Sequence, residues 1–105
     1  MDNTLQKSPV EITLQLIGNK WKVLIIRDLL TGTKRFNALM HSVTGITQKV
    51  LTNNLRSMEE AGLLIRTVYP QVPPKVEYSL TETGLILKPI LDSMFSWGTE
   101  YKQSH

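Results

Sequence analysis

The stretch TQKVLTNNLRSMEEAGLL, residues 47–64, constrains the fold of this chain more than any other. Leu51, Leu55 and Met58 recur at i, i+4 and i+7, the spacing that lines up side chains along one side of an α-helix. Val50 and Ala61 flank that stripe, so this side is expected to pack inward. Thr47 suits the cap position and Gly62 the closing one, which predicts a helix from about Gln48 to Ala61. The opposite side carries Gln48, Lys49, Thr52, Asn53 and Arg56. A solvated helix face usually pairs Glu with Lys. Here the first half has no acid, and Glu59 and Glu60 wait until the far end. The helix dipole favours acids at the start, so the arrangement is inverted. An acid-free, amide-rich first half suits a helix pushed toward phosphates. Gln and Asn match the edge of adenine, Arg and Lys match guanine, and Thr can meet a thymine methyl.

The flanking segments fit that reading. Phe36, Leu39 and Met40 mark a short helix, opened by Lys34-Arg35, and Val43-Thr44-Gly45-Ile46 makes a tight connection. A short helix, a four-residue turn with glycine and a second helix is helix-turn-helix spacing. The second helix of such a unit enters the major groove N-terminus first. Beyond it, Leu63 to Tyr69 reads as a strand. Pro70, Pro73 and Pro74 force a turn, and KVEYSL at 75–80 alternates with Val76, Tyr78 and Leu80 on one side. The two strands predict a hairpin with its loop near 70–74, with Tyr69 and Tyr78 packed within it, or with Tyr69 contacting sugar or phosphate as the alternative. Placed after the helix pair, it looks like a wing resting on the DNA backbone or minor groove. Gln48, Lys49, Thr52, Asn53 and Arg56 are therefore the expected base or nearby phosphate contacts. Lys34, Arg35, Thr47 and Lys75 are expected on the backbone.

In SPVE, residues 8–11, Ser8 can cap a first helix, Pro9 suits its first position and Glu11 completes a capping box. Val10, Leu14 and Ile17 keep one side apolar, and Gly18 stops the helix. A second helix from about Lys20 to Leu30 places Trp21, Leu24, Ile25, Leu29 and Leu30 at helical spacing. It is expected at the centre of the fold. Trp21 reads as core, with a ligand pocket as its alternative, and Lys20 and Lys22 beside it read as solvated. Thr31-Gly32-Thr33 is a break. Thr81 can cap a last helix over about 82–101, in which Gly84 costs some stability and Pro89 predicts a kink or break. Its apolar residues, Leu85, Ile86, Leu87, Ile90, Leu91, Met94, Phe95, Trp97 and Tyr101, occupy too many angles for one stripe. Such a helix usually buries against more than one partner. Met40, Met58 and Met94 read as core filler. The expected order is four helices, two strands and a helix: mainly α with a small β-hairpin wing.

With 105 residues the chain is expected to form one domain, 1–105, with a DNA-binding unit at about 34–80. No run of 18 apolar residues exists and MDNTLQKSPV lacks the apolar core of a signal peptide, so the expectation is a cytoplasmic protein with no membrane span. Cysteine is absent, which removes disulfides, thiolate metal sites and thiol redox chemistry. His41 and His105 lie far apart with no acidic cluster, so no metal site is expected. His41 reads as an exposed helix residue. Glu59 and Glu60 diverge as helix neighbours, with no partner base or nucleophile. No enzyme and no cofactor are expected. The net charge of +3 is uneven. Residues 34–75 hold six basic and two acidic side chains, a balance of +4, whereas residues 76–105 carry −2. This suggests a centre facing a polyanion, double-stranded DNA above all. Chance scatter of charge, or a face that docks an acidic protein, is the competing reading.

The blocks GNKWKVLII, RFNAL, GITQKVLTNNLRSMEEAGLL and VYPQVPPKVEYSLTETG, in this order over about residues 8–101, resemble the HxlR-type winged helix-turn-helix regulators of bacteria. The resemblance implies a small homodimeric transcription regulator, close in shape to MarR proteins. It implies dimerisation through the N- and C-terminal helices, about 8–18 and 82–101, with Leu87, Ile90, Leu91, Met94, Phe95, Trp97 and Tyr101 in the interface. Two recognition helices would then sit roughly 34 Å apart on a pseudo-palindromic operator. The resemblance leaves open a small-molecule effector between the dimer helices and the DNA-binding unit, which no residue here names. Many members of the family carry a sensing Cys just before the first-helix Pro. Here Ser8 stands there, and a hydroxyl is no activated thiolate, so thiol sensing is not carried over.

Overall fold

The computed structural model describes residues 7–105, so the reading of the first six residues lies outside it. The elements are α1 (Pro9–Ile17), α2 (Lys20–Leu29), β1 (Lys34–Arg35), α3 (Phe36–Ser42), α4 (Gln48–Glu60), β2 (Leu64–Tyr69), β3 (Lys75–Leu80), α5 (Glu82–Leu85) and α6 (Lys88–Ser104). The fold is mainly α with a small antiparallel sheet of order β1-β3-β2. The three expected caps form, and a fourth, Asn19, joins them. The Ser8, Thr47 and Thr81 hydroxyls accept from the Glu11, Val50 and Gly84 amides, and Asn19 caps α2 through the Lys22 amide. Each satisfies a donor that the first helical turn leaves orphaned.

α2 runs through the middle. Its Ile25, Ile26 and Leu29 pack with Leu39, Val43 and Ile46 around the α3–α4 turn, with Leu51, Leu55 and Met58 of α4, and with Leu63, Leu64 and Tyr78 of the sheet region. Trp21 is half-buried against this core, and the Lys20 ammonium lies 4.5 Å from the centre of its ring.

Several expectations are corrected. Lys34-Arg35 leads into α3, with Arg35 at its N-cap, but the pair is itself a strand. It forms β1, pairing with Tyr78 and Glu77 of β3, so the sheet has three strands rather than two. The Thr33 and Ser79 hydroxyls, 2.8 Å apart, extend that contact. The last helix is divided into α5 and α6, the break Pro89 predicts, because proline removes one helical donor and crowds the preceding turn. Ala61 is exposed rather than part of the inward stripe, because it caps α4 where the chain turns away. Met94 is exposed and is no core filler, whereas Met58 is fully buried. Tyr78 packs inward, but Tyr69 is exposed beyond the core, with the Lys75 ammonium 4.8 Å from its ring centre. Gly84 does more than weaken a helix. It is buried, and a Cβ there would collide with the Leu63 carbonyl oxygen, which accepts from the Thr81 amide.

Candidate nucleic-acid interface

α4 is held rigidly, and what holds it decides which side faces out. Gly45 turns the chain at φ +86°, a left-handed conformation that other residues rarely adopt. Val43 and Ile46 on either side are buried and pin the turn to the core, and the Ile46 amide donates to the Val43 carbonyl at 3.2 Å. Leu51, Leu55 and Met58 then anchor the helix along its length, and Gly62 at φ +77° releases the chain into β2. The opposite side is left to solvent.

On that side the structure brings five expected residues together. Gln48, Lys49, Asn53 and Arg56 are exposed, Thr52 is half-buried, and all five line one shallow depression. A second depression lies between α4 and the sheet, lined by Thr52, Leu55, Arg56, Glu59, Arg66 and Tyr78. Thr52 and Arg56 belong to both, so the two depressions adjoin along α4 and β2.

Arg66, one of the six basic residues of 34–75, has no role assigned by sequence pattern alone. It pairs across the sheet with Tyr78, on the row Leu64, Arg66, Val68 that begins buried and ends exposed. Arg66 stands where this row leaves the core. The signal was there in the strand alternation, but only the packing of β2 beside α4 reveals its neighbours.

Among the described residues, the side-chain ion pairs are Lys75–Glu77 at 2.8 Å and Lys88–Asp92 at 2.7 Å. Lys34, Arg35, Lys49, Arg56 and Arg66 therefore have no carboxylate at ion-pair distance within that set, and the first turn of α4 has no acid. An uncompensated cation face at a helix N-terminus is an anion-binding arrangement. The expected backbone residues are less uniform. Arg35 is exposed at the start of α3, and its side chain makes no capping bond. Lys34 is half-buried in β1. Thr47 is exposed, and its capping hydroxyl keeps its own proton to donate. Lys75 is already engaged by Glu77 and the ring of Tyr69.

The face expected for dimerisation divides in two. Leu91 is buried in the protomer's own core and Leu87 is half-buried against it, so these two face inward. Ile90, Met94, Phe95, Trp97 and Tyr101 are exposed on α6, as are Val10 and Leu14 on α1. Trp97, Tyr101 and His105 stack in a row along α6, with ring centres 5.1 and 4.3 Å apart. Among the described residues there is no cluster of His, Asp or Glu able to hold a metal, and no helix long and apolar enough to cross a membrane.

Comparison with known proteins agrees with this fold. The family model described as HxlR-like helix-turn-helix matches residues 16–105. YdeP of Bacillus subtilis, described as an uncharacterized HTH-type transcriptional regulator, is 51% identical over 94 residues, covering 90% of this chain and 73% of that protein. The solved structure of the redox regulator HypR in its reduced form superposes with a TM-score of 0.87 at 48% identity, covering 93% of this chain and all of that one. YodB of B. subtilis, also a transcriptional regulator in its reduced form, gives 0.81 at 33% identity, covering 94% and 98%.

Proposed function

The chain belongs to the HxlR-like helix-turn-helix family of transcriptional regulators, and from that premise we propose that it acts as a homodimer reading a pseudo-palindromic operator. α4 enters the major groove. Gln48, Lys49, Thr52, Asn53 and Arg56 meet base edges and nearby phosphates. Lys34, Arg35 and Thr47 position the backbone, and the β2–β3 wing lies on the flanking backbone or minor groove. The observation that carries this is the single depression formed by those five α4 residues, opposite a fully packed side and clear of acids in its first turn. Arg66 joins the contact surface from the wing, through the second depression it shares with Arg56. Lys75, already paired with Glu77, still has ammonium donors to offer a phosphate at the wing. The DNA-binding unit spans about 34–80, and α1 and α6 form the dimer through the exposed apolar residues named above. HypR is a redox regulator; this chain has no cysteine, so thiol-based redox sensing is not part of the proposal.

Selection of random duplexes by the purified protein tests the reading. The expected result is an enriched inverted repeat bound at least ~10³-fold tighter than a scrambled duplex. Affinity should fall with salt at a log–log slope of about −0.9 per phosphate neutralised. No enrichment, with weak binding that is flat across salt, would overturn it in favour of a protein-docking face.

A further inference from the structure

α4 carries two adjacent asparagines, and they face different ways. Asn53 is exposed on the recognition side. Asn54 is half-buried, and its side-chain amide is used twice. Its Nδ2 donates to the Val50 carbonyl, one turn back, at 2.8 Å. Its Oδ1 accepts from Asn19 Nδ2 at 3.3 Å, across a separation of 35 residues. Asn19 is itself fixed, because its Oδ1 caps α2 by accepting from the Lys22 amide at 2.9 Å. A three-member polar chain therefore runs from the start of α2 into the first half of the recognition helix.

The position of Asn19 gives this chain its interest. Asn19 sits at the corner between α1 and α2, where Gly18 is required because a Cβ would meet the Leu14 carbonyl oxygen. Asn19 also borders the apolar hollow lined by Leu14, Ile17, Val23, Leu24 and Met94, where α1, α2 and α6 meet. One side chain thus touches both the hollow between the terminal helices and the back of the reading helix. Asparagine is a poor helix former compared with alanine, so propensity does not explain Asn54 in mid-helix.

We propose that Asn54 is a positioning residue, through which the α1–α2 corner sets the pose of α4 on DNA. The inference rests on the DNA-reading assignment above. Hydrogen bonds to base edges demand closer placement of the helix than attraction to phosphates does. Losing the tie should therefore degrade sequence reading before it degrades general DNA affinity.

The test compares wild type, Asn54→Ala, Asn19→Ser and the double variant on the selected operator and on a scrambled duplex over a range of salt. Ser keeps a cap for α2 but is too short to reach Asn54. Asn54→Ala should lower operator affinity about tenfold, leave scramble affinity unchanged and leave the salt slope unchanged. Asn19→Ser should do the same, and the double variant should lose no more than either alone, as expected for two ends of one interaction. Far-UV circular dichroism and sedimentation should show all four folded with one assembly state. A merely structural asparagine would move the melting temperature and not the operator-to-scramble ratio. The proposal is overturned if that ratio is unchanged in Asn54→Ala, if the two effects add, or if the salt slope falls by about one unit, which marks a direct phosphate contact. If the wild type itself prefers no operator, the DNA reading fails and this inference falls with it. Wild-type preference retained in Asn54→Ala sinks this inference alone.

Discussion

Arg56 and Arg66 lie in one depression yet should fail differently when removed. Arg56 projects from the recognition side of α4, among the side chains suited to base edges. Arg56→Ala is expected to cost about 1–3 kcal/mol at the operator and to relax specificity at one base position. Fluorescence anisotropy against a set of single-base operator variants checks this. Arg66 comes from β2, at the exit of the strand row from the core. Arg66→Ala should weaken operator and scramble alike and flatten the log–log salt slope by about 0.9. Unequal losses on the two duplexes would make Arg66 a reader of sequence instead. The two arginines also show what a linear reading reaches. Helical period alone separates Arg56 from Leu55, because i, i+4, i+7 spacing sorts one helix into two sides. No periodicity within β2 says that Arg66 will face Thr52 and Glu59, since that depression exists only between two elements. The engagement of Lys75 by Glu77 and Tyr69 was hidden for a related reason. Lys75 and Glu77 lie on one side of β3, but Tyr69 comes alongside only through the hairpin register.

The recognition helix is bounded by chemistry visible in the sequence: a threonine hydroxyl at one end and a left-handed glycine past the other. Gly62→Ala is expected to cost about 1–2 kcal/mol, because an L side chain resists φ +77° even where space is open. Gly84→Ala should cost about 1–3 kcal/mol for the opposite reason. Its backbone is ordinary, but the added carbon strikes a carbonyl that is already bonded to the Thr81 amide. Urea denaturation of the two variants would check both figures, and a neutral Gly84→Ala would show that Leu63 and α5 can shift apart. Elements with strong local signals were legible: the α4 stripe, the proline-bounded hairpin and the break near Pro89. β1 was not. Two residues show no alternation, and Lys34 and Arg35 become a strand only because β3 offers an unpaired edge. The inward placement of Leu91 is illegible for a similar reason, since α6 is apolar on several sides and only packing tells which one faces the chain's own core.

The molecule as a whole carries an apolar face on α1 and α6 and a basic face on α4 and β2, and the proposed function needs both. The exposed apolar side chains Ile90, Met94, Phe95, Trp97 and Tyr101 of α6, with Val10 and Leu14 of α1, exceed the scattered apolar residues that a monomer normally shows. Phe95→Glu is therefore expected to convert the proposed dimer to monomer in sedimentation equilibrium. Affinity for the full inverted repeat should then drop about 10²-fold or more, while a single half-site is bound as before, because the second contact is no longer tethered to the first. A Phe95→Glu protein that still sediments as a dimer would move the interface elsewhere. The central claim is that two copies of α4 read adjacent major grooves. Dimethyl sulfate footprinting on the selected operator tests it most directly, because this reagent methylates guanine N7 in the major groove and adenine N3 in the minor groove. The account predicts two patches of guanine N7 protection about one helical turn apart, both weakened in the Arg56→Ala dimer. Protection confined to adenine N3, with every guanine N7 open, would contradict it.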